Sequence, residues 1–103
     1  MTGPFDDLIR TVLGTGIEAY HEVKPADFGE AAGRRTMFLQ CVEVIMQRYP
    51  ELRITLSGDR AALIDMGLSP DGDVLIGQQV YRTPVGPTFE PGRVRLTFAP
   101  RAD

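Results

Sequence analysis

The residues able to do acid–base, nucleophilic or metal chemistry are few and widely spaced. His21 is the only histidine and Cys41 the only cysteine, so a histidine-rich metal centre is excluded. A zinc site would have to join Cys41 to carboxylates from distant segments. His21 stands beside Glu22 near the expected end of a helix, where it reads as a solvated side chain with a mild electrostatic role. Cys41 lies mid-helix among apolar neighbours, whereas reactive thiols sit at helix amino ends or beside positive charge, so it reads as packing. Ser57 in "LSGD" has no nucleophile elbow around it, and Ser69 precedes a turn proline. "LGTG" interrupts a helix instead of joining a strand to one, and it lacks the third glycine of a dinucleotide loop. "PDGDV" carries two close carboxylates without the remaining ligands of a calcium loop. The expectation is a chain without catalytic, cofactor or metal residues.

Chemistry of recognition is better represented. Arg34 and Arg35 are the only adjacent basic pair, with Arg35 expected to point into an apolar stripe and to snorkel or pair with an acid. The stretch "YRTPVGPTFEPGRVRL", residues 81 to 96, places Pro84, Pro87 and Pro91 between two strand-like runs with an arginine at each mouth. Prolines bias such a connection towards extended geometry and lower the entropy lost on docking. Tyr81, Arg82, Val85, Phe89, Arg93 and Arg95 are therefore candidate contact residues, with Phe89 and Val85 either capping the core or projecting as anchors.

The elements that would position these groups are read from periodicity. Pro4, Asp6 and Asp7 suit the amino end of a helix, and Phe5, Leu8, Ile9, Val12, Gly16 and Tyr20 share one face, which favours a first helix continuing through "LGTG" over one capped at Gly14. A second helix is expected from Asp27, paired with Glu30 in a capping box, to the block at Pro50. Its main stripe runs Phe28, Ala31, Ala32, Phe38, Leu39, Val42, Ile45, Met46 and Tyr49. A narrower stripe of Met37, Cys41 and Val44 lies roughly opposite, so the helix is either enclosed within its own domain or contacts another chain. "LRITL" alternates as a strand, Asp59 is placed to cap a short helix that Gly67 ends, "DVLIGQQVYR" is a second strand, and "RVRLTF" a third after the turn "EPGR". The expected fold is α+β: two N-terminal helices packed on a small, mainly antiparallel sheet of about three strands, with a long Pro-rich hairpin loop. One domain spans 1–103, with an extended Pro/Gly-rich loop at 83–92 and a frayed tail at 100–103.

Composition narrows the class. The chain has 103 residues, 43% hydrophobic and 24% charged, the balance of an ordinary folded domain. The opening "MTGPFDDLIR" lacks the basic-then-apolar pattern of a secretory signal, and no run is long enough to span a membrane. With a lone cysteine, this leads to the expectation of a cytoplasmic protein without disulfides. Lys24 is the only lysine and asparagine is absent, a bias that points to a GC-rich bacterial or phage genome. The net charge is −3, with residues 1–77 holding seven basic and twelve acidic side chains and 78–103 four and two. That excess is far short of a dedicated nucleic-acid binder. The function expected is a small non-enzymatic interaction or assembly protein, self-associating or serving as an adaptor to a protein partner. The alternatives are a nucleic-acid-associated regulator using Arg82, Arg93 and Arg95, and a small-ligand enzyme without a recognisable motif.

Overall fold

The computed structural model describes residues 5–76, 79–83 and 90–101. The chain is α+β. Helix α1 spans Asp6–Thr15, strand β1 Ala19–Val23, a 3-10 turn Pro25–Phe28, helix α2 Ala31–Arg48, strand β2 Leu52–Gly58, helix α3 Arg60–Asp65, and strands β3, β4 and β5 Asp73–Ile76, Gln79–Arg82 and Val94–Pro100. The strands form an antiparallel three-stranded sheet of order β1-β5-β2 and a separate β3-β4 hairpin.

The first helix is shorter than its apolar stripe suggests. It passes Gly14 and stops at Thr15, because Gly16 takes a left-handed conformation (φ 74°) and donates its N–H to the Val12 carbonyl at 2.8 Å. Tyr20 and His21, expected on or beside that helix, instead alternate along β1. Ala19, His21 and Val23 stand opposite Phe98, Leu96 and Val94, while Tyr20 and Glu22 stand opposite Thr97 and Arg95. The in-phase spacing of Gly16 and Tyr20 was a coincidence over one turn, and a glycine able to reverse the backbone overrode it.

Helix α2 also starts later than its acids imply. The Asp27 carboxylate accepts the Lys24 N–H at 3.2 Å within the 3-10 turn, so it closes that turn instead of capping α2. Glu30 is the N-cap, and its carbonyl accepts the N–H groups of Gly33 and Arg34 at 2.9 and 3.1 Å. Phe38, Val42 and Ile45 are buried, Ala31 and Ala32 are exposed, and Phe28 meets Phe38 edge to face at 5.3 Å. Arg35 is exposed and its alkyl stem lies against Gly67, so it is not an inward-pointing charge. The end of α2 is tied to the start of α1: buried Asp6 accepts from Arg48 Nη1 at 3.2 Å and from the Tyr49 hydroxyl at 2.9 Å.

"DVLIGQQVYR" is not one strand. It breaks after Ile76, which stands opposite Gln79. Gly77 and Gln78, between the two strands, lie outside the described residues. Among the described residues β4 pairs with β3 and β5 with β1 and β2, so the strands on either side of the expected Pro-rich loop belong to different sheets; residues 84–89 of that loop lie outside the described residues. Its first residue is an anchor, because fully buried Thr83 donates its hydroxyl to the Ser69 carbonyl and its carbonyl accepts the Asp71 N–H at 2.8 Å. At the other end Arg93 donates its N–H to the Glu90 carbonyl at 3.3 Å, closing the expected "EPGR" turn. Asp59 precedes α3 without capping it through its side chain; that carboxylate accepts the Gly92 N–H at 3.2 Å. Gly58 makes this junction possible, since a Cβ there would lie 2.8 Å from the Arg93 carbonyl oxygen. The pairing continues into the tail expected to fray: β5 includes Pro100, and the Arg101 N–H donates to the Glu51 carbonyl at 3.0 Å.

One face of the three-stranded sheet is core. Leu52, Ile54 and Leu56 of β2, Val94, Leu96 and Phe98 of β5 and Val23 of β1 are buried there with Ile9 and Val12 of α1 and the inner stripe of α2. The opposite face carries Tyr20, Glu22, Arg53, Thr55, Ser57, Arg95 and Thr97, the polar half of the strand alternation.

Candidate functional site

The residues expected to make contacts are distributed over separate parts of the molecule. Met37, Cys41 and Val44 do share one side of α2. Met37 and Val44 are 52% and 51% exposed, and Cys41, between them, is half-buried. Burial pushes the Cys41 thiol above its ordinary pKa, which leaves less thiolate at neutral pH and makes it a poor nucleophile.

Arg95 has a different environment. It lies on the central strand directly opposite Glu22, and the two side chains, 23% and 19% exposed, meet at 3.2 Å. Its guanidinium also lies 4.0 Å from the centroid of the Tyr20 ring. An arginine picked out as a possible partner contact is therefore engaged by a carboxylate and an aromatic face of its own chain. Sequence reading missed Tyr20 and Glu22 because both were assigned to the first helix; the signal was the alternation of "AYHEV" ahead of Lys24 and Pro25.

The remaining candidates are placed as follows. Arg93 is half-buried, with its carbonyl accepting the Asp59 N–H at 3.2 Å. Arg82 stands opposite Asp73 in the β3-β4 register. Tyr81 is half-buried against α2, donating its hydroxyl to the Met46 sulfur at 3.3 Å. It lines a cavity of about 110 Å³ with Met46, Pro50, Leu52 and Arg101. Burial raises the Tyr81 pKa, and the positive charge of Arg101 partly offsets the rise. Val85 and Phe89 lie outside the described residues. His21, on the core-facing side of β1, is exposed and packs edge to face on Phe5 with ring centroids 4.8 Å apart.

A second feature belongs to the backbone. Among the described residues β1 pairs only with β5, so its outer edge carries main-chain donors and acceptors that no described strand or loop takes up. Two exposed apolar side chains, Ile17 at 68% and Tyr20 at 54%, adjoin that edge. Among the described residues no three of His, Cys, Asp or Glu come together to hold a metal, and no helix is long and apolar enough to cross a membrane. No protein-family model, curated protein or solved structure matches this chain.

Proposed function

We propose that the chain is a non-enzymatic interaction or assembly protein that offers the outer stripe of α2 to another polypeptide. The observation that carries this reading is the exposure of Met37 and Val44 on a helix whose Phe38, Val42 and Ile45 are already buried. Residues spaced two turns apart on one side of a helix are the usual anchors of helix-in-groove contacts. The nucleic-acid reading draws on Arg82, Arg93 and Arg95, and it is weakened because Arg95 is held by Glu22 and Tyr20.

The test combines solution mass by light scattering with a pull-down from the native host, for wild type and Val44→Glu. A carboxylate buried without a partner in a contact is costly, so Val44→Glu should weaken association about tenfold or more. Its melting temperature should stay within a few degrees of wild type. Unchanged association in the variant would reject the α2 stripe as the contact, and an unfolded variant would show that Val44 supports the fold itself.

A further inference from the structure

We propose that the outer edge of β1 pairs antiparallel with the same edge of a second copy, about a two-fold axis at His21. The result is a continuous sheet of order β2-β5-β1-β1-β5-β2, three strands from each copy. This goes beyond the reading above by naming the partner and the register, and it rests on that reading only in taking the chain as an interaction protein.

Three observations converge on this pairing. The first is that no described strand or loop pairs with the β1 edge, and that bulges, lysine and proline, three of the devices that usually block edge pairing, are missing from it. Its ladder with β5 runs without a bulge from Ala19 to Val23, and no lysine or proline falls within it.

The second is the pleat, which restricts the register. Ala19, His21 and Val23 face the core side and Tyr20 and Glu22 the other. A two-fold axis perpendicular to the sheet preserves faces, so core-side residues must oppose core-side residues. The pair can then be centred only on a residue, and centring on His21 alone overlaps all five strand residues, Ala19 with Val23 and Tyr20 with Glu22.

The third is charge. In the His21-centred register, exposed Glu18 falls opposite exposed Lys24 of the other copy, and symmetry makes the contact twice. Centring on Tyr20 would oppose Glu18 to Glu22, and centring on Glu22 would oppose that carboxylate to itself. Tyr20 meets a Glu22 already neutralised by Arg95 at 3.2 Å. Among the registers that overlap three or more strand residues, the sequence Glu18-Ala-Tyr-His-Glu-Val-Lys24 is thus self-complementary in charge only in the His21-centred one.

Sedimentation over a concentration series, using the full chain, tests the pairing. Glu18→Lys and Lys24→Glu each turn two opposite-charge contacts into like-charge ones and should weaken self-association about tenfold or more. An equimolar mixture of the two variants should recover it, because each supplies the charge the other lacks. Register is read separately in a Cys41→Ser background. His21→Cys should form an intermolecular disulfide on mild oxidation, since directly opposed strand residues have Cα atoms about 4.5–5.5 Å apart. Tyr20→Cys, displaced from its own mate, should not. Self-association insensitive to both charge reversals, or a His21→Cys variant that fails to cross-link, overturns the pairing. If that association is instead lost in Val44→Glu, the α2 reading stands while this one falls. A wild-type chain that is monomeric at high micromolar concentration also overturns the pairing; only if it retains no other protein does the interaction reading fail with it.

Discussion

The outer face of the three-stranded sheet and the outer stripe of α2 both look into solvent, but they are satisfied differently. On the sheet, Arg95 and Glu22 form a closed set, charge on charge at 3.2 Å, with the guanidinium 4.0 Å from the Tyr20 ring, which itself stays 54% exposed. On α2, Met37 and Val44 leave about half their surface in water, and an apolar group cannot be satisfied by an ion pair or hydrogen bond. Polar side chains on a surface can be completed by neighbours across a strand ladder, whereas apolar ones are completed only by burial. Residue type at an exposed position is thus a weaker guide to recognition than what that residue already touches.

The sharpest way to press this contrast is within α2 itself. Phe38→Ala should lose about 3–5 kcal/mol in denaturant unfolding, because it empties a fully enclosed site against Phe28. Met37→Ala, the neighbouring residue, should stay within about 0.5 kcal/mol. Equal losses would mean that the outer stripe is as much core as the inner one.

On the sheet, Arg95→Ala should cost about 1–2 kcal/mol, since it strands a mostly shielded Glu22 and uncovers Tyr20, and Glu22→Gln in the same chain should recover part of that loss. A neutral Arg95→Ala would show that the closed set contributes geometry without stability.

The smallest effect concerns Cys41. Its folded pKa is raised, so at pH 8 it holds less thiolate than a free cysteine and should react several-fold more slowly with a disulfide reagent, catching up as pH rises. A rate equal to that of a free thiol would place the centre of the stripe in open water.

Much of the fold could be read from local pattern. The alternation in Leu52–Leu56 and Val94–Phe98 marks strands, the Phe38–Val42–Ile45 spacing marks the buried side of α2, and "EPGR" marks a turn. What escaped was decided by single glycines or by distant partners. Gly16 ends α1 one turn before the apolar stripe runs out, which hid β1 inside a helical pattern. An alternating run continued across Gly77 and Gln78, which hid the break between β3 and β4. No local signal could have joined Arg95 to Glu22, because that contact exists only once β1 and β5 are in register. The order of charges in residues 18 to 24 likewise acquires a meaning only once β1 is the edge of a sheet.

The place of β5 has a consequence for the newly made chain. It is the last strand in order yet the middle one of the three-stranded sheet, with Ala19 facing Phe98 on one side and Ile54 facing the same Phe98 on the other. During synthesis β1 and β2 therefore emerge with no ladder to join, and wait for the strand that will separate them. Until then both present open edges and uncovered Ile54, Leu56 and Val23, the condition under which nascent strands pair wrongly or with each other's copies. Helices α1 and α2 are complete by that stage, and the contact of Asp6 with Arg48 and Tyr49 can close without any strand. The order of elements thus makes the helical pair an early platform and assigns completion of the sheet to one late insertion.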